Sequence, residues 1–398
     1  MENKGDNSGL ATKLIHAGET PCPRTGAMMT PVYQTTSYLF KDVQDGARKC
    51  EHIDHGYCYT RLGNPTQSAL EEKLARLEEG EAALAFASGV AAISSLLFSH
   101  FKQGDHAIVD STCYGATHYL FDHLLKKFGV EITFIDTSNH HNIEEAILPQ
   151  TRMIYVESPA NPTLKMVDMD KVAEIGRRNN ILTAIDSTYA TPYLQQPLKH
   201  GIDVVIHSTT KFLCGHGDAI GGALIGSKEL MDHIRDDTLK NMGGIIAPWN
   251  AYLLIRGIKT LDIRMDKHCA NAMAVACFLE EHPQIKRVFY PGLTTHPQHE
   301  LAERQMNNFG GMICFELKGG LKAGESLLNN LKLCSLAVSL GHAETLIEHP
   351  ASMTHWYVDK KDREKAGISD GLIRMSVGLE DPKDIIQDLE QALYQIKD

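Results

Sequence analysis

Asp203-Val-Val-Ile-His-Ser-Thr-Thr-Lys211-Phe-Leu-Cys-Gly-His-Gly217 opens on β-branched apolar residues, passes through three hydroxyl side chains and closes in a Gly-rich turn. A short apolar run of this kind reads as a strand buried on both faces of a parallel sheet. Lys211 then sits just past the strand's C-terminal end. Hydroxyls immediately before a lysine at a strand end suit a phosphate ester held beside an amine that attacks a carbonyl. Partial burial would lower the lysine pKa and keep that amine nucleophilic. Taken alone, the same residues also describe a surface lysine after a polar turn.

Working outward, Leu182-Thr-Ala-Ile-Asp186-Ser-Thr-Tyr189 places a carboxylate at the end of a second apolar strand, 25 residues before Lys211. On its own Asp186 could equally cap the strand end. An Asp and a Lys on successive strand ends of one parallel sheet, however, face the same crevice. An ionised Asp there keeps a pyridine nitrogen protonated, which makes the ring an electron sink. Further upstream, Ala87-Ser88-Gly89-Val90 opens a helix, whose first N–H groups bind phosphate without a charged side chain. Tyr114, in Cys113-Tyr114-Gly115, is placed to stack on an aromatic ring, or else to pack in the core.

Strand-like runs at Ala107–Val109, Ile132–Ile135, Met153–Val156, Leu182–Ile185, Val204–Ile206 and Ala223–Ile225 alternate with helical stretches such as Ala116–Phe128 and Met169–Arg178. This alternation predicts an α/β fold with a mostly parallel sheet covered on both faces. Residues 1–63 read as an extended arm with one short helix, its first eight residues polar and loose. A helix capped by Thr66 and facing inward through Leu70, Leu74 and Leu77 opens an α/β domain over 64–262. A smaller α+β domain over 263–398 begins with a long helical stretch. It holds the strand-like Met312–Leu317, the helical Gly324–Asn330 and a final helix from Pro382.

With 398 residues, 43% of them hydrophobic, the chain can bury a substantial core. Its formal net charge of −11 argues against nucleic acid or an anionic membrane as a partner. Nine cysteines at scattered spacings, with no C-x-x-C pair, fit reduced thiols in a cytoplasmic protein. The polar N-terminus lacks the apolar segment of a signal peptide. Gly215-His-Gly-Asp-Ala-Ile220 carries Ile at the third glycine position, which excludes a dinucleotide fingerprint. His52 with His55, and His296 with His299, have ligand-like spacing but no carboxylate motif beside them, so no metal is expected. A non-catalytic scaffold would not need Lys211, Asp186 and a phosphate cradle together.

Together, Ser208–Gly217, Asp186, Gly89, Tyr114 and Tyr59-Thr-Arg61-Leu-Gly-Asn-Pro65 resemble the Cys/Met-metabolism family of pyridoxal-phosphate enzymes, from about His16 to the C-terminus. The resemblance implies the aspartate-aminotransferase-like fold, type I, with a sheet of the seven-stranded type. It implies pyridoxal 5'-phosphate held as a Schiff base on Lys211. Ser88, Gly89, Val90, Ser208 and Thr210 would hold the phosphate, Asn161 the phenolic oxygen, and Tyr114 and Asp186 the ring. Tyr59 and Arg61 would reach a neighbouring subunit's cofactor in a homotetramer, a dimer of dimers with shared active sites. Arg374, in Gly371-Leu-Ile-Arg-Met-Ser-Val-Gly378, would take a substrate carboxylate through its planar fork. Ser339 would position it, and freed Lys211 would move protons.

Within the family, Ala337–His355 looks like the corresponding stretch of methionine γ-lyases, which implies α,γ-elimination of a small sulfur amino acid. Val338 stands where cystathionine γ-lyases typically carry Glu. Ala116, Asn241 and Val90 depart from the Cys, Asp and Met usual in methionine γ-lyases. Lys240 is retained, Thr354 would contact the substrate, and Trp356, which replaces a smaller residue, would narrow a pocket wall. A cystathionine γ-lyase or homocysteine desulfhydrase, and then an O-acylhomoserine sulfhydrylase, are the alternatives.

Overall fold

The computed structural model describes residues 8–396 apart from 355, 357, 358 and 366. The first seven residues, expected to be loose, and His355 of the methionine γ-lyase-like stretch lie outside the described ones. Seven strands form the larger sheet: β1 Ala82–Phe86, β2 His106–Asp110, β3 Glu131–Ile135, β4 Thr151–Glu157, β5 Leu182–Asp186, β6 Val204–His207 and β7 Gly222–Gly226. Their spatial order is β1-β7-β6-β5-β4-β2-β3. Strands β2 to β6 pair in parallel, while β7 runs antiparallel to both of its neighbours, β6 and β1. All six strands read from the sequence are present. The seventh, β1, is alanine-rich and follows a helix directly, so its pattern does not separate from the helix before it.

Side chains of successive strand residues point to opposite faces. Val205, Ile185 and Ile225 accordingly join a core with Leu70, Leu74 and Leu77 on one side of the sheet. Ala184, Val204, Ile206 and Leu224 join Leu84, Phe86, Leu97 and Tyr155 on the other. Each fully buried Val, Leu or Ile stabilises the fold by about 1.5–3 kcal/mol.

The register carries the functional consequence: Glu157 on β4 lies opposite Asp186 on β5, and Asp186 opposite Ile206 on β6. Three successive strands therefore end at one edge. A second sheet comprises β8 Ile285–Phe289, β9 Met312–Leu317, β10 Ser335–Leu336, β11 Leu346–Glu348 and β12 Leu372–Ser376, in the order β10-β11-β12-β9-β8. Here Glu348 stands directly across from Arg374.

Three expectations need correction. The helix Pro65–Glu78 is capped by Asn64 and not by Thr66: Asn64 Oδ1 accepts from the Thr66 N–H at 2.9 Å. Pro65 suits the first helical position, where its missing N–H costs nothing. Thr66 instead donates its hydroxyl to the Pro31 carbonyl and accepts from the Tyr33 N–H, tying the arm down. The arm contains two helices, Leu10–His16 and Val43–Glu51, and a 3₁₀ turn at Ile53–His55, where one helix was expected. That turn reverses the chain between Cys50 and Cys58, which are disulfide-bonded with Cα atoms 5.4 Å apart, against the reading of uniformly reduced thiols. Among the described residues, no helix is long and apolar enough to cross a membrane.

Candidate active site

Beyond the ends of β4, β5 and β6 lies a cavity of about 430 Å³, within the range of roughly 300–1,000 Å³ common for small-molecule sites. The helix Gly89–His100 points its first turn into this space. Ser88 caps that helix, its Oγ accepting the Ala91 N–H at 3.0 Å. A Cβ built on Gly89 would stand 2.9 Å from the Ser208 Cβ, so only glycine lets the helix start abut the end of β6. Ser208, Thr210 and the first amides of the helix together surround a place for an anion. The Thr210 hydroxyl is turned onto Gly221, 3.1 Å from its carbonyl.

Asp186 is buried at the end of β5 and lines the cavity. Its Oδ1 accepts both the Thr188 N–H at 3.0 Å and the Thr188 hydroxyl at 2.5 Å. Thr188 Oγ1 in turn accepts the Ser208 N–H at 2.8 Å, tying the ends of β5 and β6 together. Burial raises the Asp186 carboxyl above its usual range, against the Thr188 bonds and the nearby His207. Glu157, beside it on β4, accepts the Tyr114 N–H at 2.9 Å and the Asn161 N–H at 2.8 Å. Burial and then the Asp186 charge push Glu157 well up, against those two amide bonds.

Lys211 donates through Nζ to Ser339 Oγ at 2.8 Å. Burial and then the Arg374 charge lower its amine to about 8, partly offset by Glu348. Ser339 adopts φ of 90°, a left-handed conformation that is uncommon outside glycine. Its carbonyl accepts from Arg374 Nη2 at 3.0 Å, while Arg374 Nη1 donates to Asn161 Oδ1 at 3.1 Å. Arg374 Nε lies 3.1 Å from Glu348 Oε1.

Of the residues singled out in the sequence, the cavity brings together Ser88, Gly89, Val90, Tyr114, Asn161, Asp186, Ser208, Thr210, Lys211, Val338, Ser339, Thr354 and Arg374. Tyr59, Arg61, Ala116, Lys240 and Asn241 do not line it. Arg61 instead donates to the Lys240 carbonyl and lies over the Tyr59 ring. Lys240 pairs with Asp236 at 2.8 Å, and the Asn241 amide donates to the Asp236 and Asp237 carbonyls.

Glu157, Thr188, Tyr189 and Glu348 also line the cavity and were missed as site residues. Glu157 and Thr188 had a signal, one at a strand end beside Asp186, the other two residues past it in Asx-turn position. Glu348 had none, because a three-residue strand leaves no periodicity to read.

These residues fit a pyridine phosphate. Asp186 is a buried carboxylate whose Oδ1 is bonded by a neutral threonine, Thr188, which favours a cationic ring nitrogen against it. The helix start with Ser208 suits the phosphate, and a half-neutral lysine amine suits an aldehyde. The Cys/Met metabolism PLP-dependent enzyme family matches residues 11–394. A protein named L-methionine gamma-lyase, from Fusobacterium nucleatum subsp. polymorphum, is 55% identical over 398 residues, covering 100% of both chains. One named cystathionine gamma-lyase, from Bacillus subtilis, is 44% identical, covering 97% of this chain and 99% of that one. The crystal structure of metB from Corynebacterium glutamicum matches with a TM-score of 0.92 at 40% identity, covering 98% of this chain and 99% of the other. The chain belongs to the Cys/Met-metabolism PLP-dependent enzymes. It has their α/β type I fold, and its cofactor is pyridoxal 5'-phosphate.

Proposed function

We propose that this protein is an L-methionine γ-lyase, converting L-methionine and water to 2-oxobutanoate, methanethiol and ammonia, with homocysteine and related sulfur amino acids as further substrates. The observation that carries the reading is the joining of Lys211, Ser339 and Arg374 beside an apolar Val338. Arg374 takes the substrate carboxylate with its guanidinium fork. That contact sets the substrate Cα within reach of Lys211. Its amine, lowered to about 8, acts as the base at Cα and carries protons along the substrate. When bound, the cofactor supplies an electron sink for the negative charge that proton removal leaves. Asp186 would hold the cofactor's ring nitrogen protonated when it is bound, and Tyr114 would lie against the ring and hand a proton to the departing sulfur. Val338 offers the thioether methyl an apolar wall and no carboxylate for a distal ammonium.

The relative named cystathionine gamma-lyase keeps a second reading alive, cleavage of cystathionine by the same residues. Assaying methionine, homocysteine, cystathionine, cysteine and O-acetylhomoserine with added thiol separates the two. Methanethiol from methionine is expected. Rapid cystathionine cleavage with no methanethiol would overturn the assignment.

The assembly we propose is a homotetramer of two dimers, each dimer sharing its sites through Tyr59 and Arg61. The support is that both residues stand outside the cavity of their own chain. The division into an arm over 1–63, a cofactor domain over 64–262 and a C-terminal domain over 263–398 belongs to the same proposal, as does a cytoplasmic location. The buried free thiols of Cys113, Cys214, Cys269, Cys314 and Cys334 support that location, and the Cys50–Cys58 disulfide counts against it.

A further inference from the structure

Glu348 is a carboxylate that the lysine-based chemistry does not use. It is 2% exposed and lines the cavity at the end of β11, opposite Arg374 on β12. One oxygen, Oε1, is paired with Arg374 Nε. The other, Oε2, is buried with no hydrogen-bond partner among the described residues. A buried acceptor left unpaired costs about 1–3 kcal/mol, so this oxygen is a place where a proton or a donor is missing.

The neighbouring guanidinium is already heavily engaged. An arginine carries about five N–H donors. Those of Arg374 serve Glu348 through Nε, Asn161 through Nη1 and the Ser339 carbonyl through Nη2. Its charge is therefore largely balanced by Glu348 before any substrate arrives. An amino-acid carboxylate docking on the remaining N–H groups would place a second anion beside Glu348 with one cation between them. Two carboxylates in that position do not both stay ionised easily, and one takes a proton.

We propose that Glu348 takes up a proton from solvent when an amino-acid carboxylate binds at Arg374, its Oε2 becoming an O–H that donates to that carboxylate. The proposal rests on the reading of Arg374 as the carboxylate site. The charged and titratable groups facing Glu348 are Arg374 on β12, Lys211 after β6, Tyr189 after β5 and Cys314 on β9. Arg374 and Lys211 hold Glu348 ionised, whereas burial favours its neutral form and already pushes it up. The incoming carboxylate adds to burial and tips the balance. The balance of the step is simple: one carboxylate oxygen gains H⁺ from the buffer, no electrons move, and the buffer base is left behind.

L-Norleucine is the probe, since it replaces the thioether sulfur with CH₂ and has no C–S bond to break. Calorimetric titration of the holoenzyme at about pH 8, in two buffers of different ionisation enthalpy, counts protons taken up on binding. Protons moved elsewhere are common to parent and variant, so the difference isolates Glu348. The parent should take up as much as about one proton more than Glu348→Gln. Gln keeps an acceptor for Arg374 Nε and removes the charge. At that pH Glu348→Gln should also bind L-norleucine more tightly, by at most about tenfold for each pKa unit that the bound carboxylate shifts Glu348. Glu348→Asp, which keeps a titrating carboxyl, should retain the extra proton.

Equal proton uptake in parent and Glu348→Gln would overturn the proposal. So would weaker binding by Glu348→Gln at every pH, which would make Glu348 only a strut for Arg374. Arg374→Ala guards the underlying reading: unchanged L-norleucine affinity there would overturn the carboxylate site itself, whatever Glu348 does.

Discussion

Lys211 Nζ lies 2.8 Å from Ser339 Oγ, and these two side chains sit in the segments that follow β6 and β10, strands of different sheets, 128 residues apart in the chain. Ser339 is held there at a φ of 90° while its carbonyl accepts from Arg374. One residue thus fixes the amine we propose as the proton carrier relative to the cation we propose as the carboxylate site. Replacing Ser339 by Ala leaves the backbone strain and removes the hydroxyl. A hydrogen bond to a charged group is worth about 1.5–3 kcal/mol, so kcat for methionine should fall about 10- to 100-fold. Ser339→Gly should lose activity equally while melting at or above the parent temperature, because glycine accepts this φ without strain. Retained activity in both variants would show that Ser339 does not hold Lys211.

The lowered Lys211 amine sets a pH dependence for cofactor capture. Its ordinary value of 10.5 drops to about 8, so the neutral, nucleophilic form predominates above about pH 8 and the ammonium below it. Apoenzyme stripped of cofactor should therefore recapture pyridoxal 5'-phosphate faster as pH rises, levelling off above about pH 8. Stopped-flow absorbance in the visible range measures the rate. A rate still climbing tenfold per unit up to pH values near that of free lysine, about 10.4, would show that burial does not tune this amine.

The strands that bear Lys211 and Asp186 were legible because parallel strands covered on both faces are continuous apolar runs. The residues just past such runs fall at one edge by topology alone. Ser208 and Asp186 are found that way, whereas Gly89 is found as the start of a helix. Glu348 was not, since what makes it part of the site is its pairing across β11 and β12, a long-range register that no local pattern encodes. Thr66 was misread for a related reason. Its hydroxyl serves the arm at Pro31 and Tyr33, and local sequence cannot show that this tertiary contact outcompetes a cap.

Glu157 joins Tyr114 to Asn161, the residue beside Arg374, since its two oxygens take the backbone N–H groups of both. Glu157→Gln leaves one acceptor oxygen and sets an amide NH₂ against the other N–H. Each buried donor left unpaired costs about 1–3 kcal/mol, so the variant should lose stability in that range under denaturant. Because Tyr114 shifts with its N–H, the circular dichroism of the bound cofactor should weaken as well. A stability loss with an unchanged cofactor signal would mean that Glu157 supports the fold and not the ring contact.

Arg61 and Tyr59 decide whether a site is built by one chain or two. They lie in the arm, beside the carbonyl of Lys240, and not in the cavity that holds Lys211. The arm's Leu39, Phe40 and Val43 are exposed apolar side chains, which a second copy of the chain would cover. Around a two-fold axis such an exchange is reciprocal, so each arm would bring one arginine to the other chain's phosphate. There it would form charge-assisted hydrogen bonds, roughly twice as strong as neutral ones. An arginine confined to its own surface would contribute little. Mixing an inactive Arg61→Ala chain with an inactive Lys211→Ala chain, under conditions where subunits exchange, distinguishes these arrangements. In a mixed dimer with shared sites, one site combines the intact Lys211 of one chain with the intact Arg61 of the other, and the second site lacks both. Activity should then return to about one quarter of the parent's, since random pairing makes half the dimers mixed and each mixed dimer has one good site of two. If each chain completes its own site, every site stays defective. With exchange verified by native mass spectrometry of differently tagged chains, absence of any recovered activity would overturn the shared site.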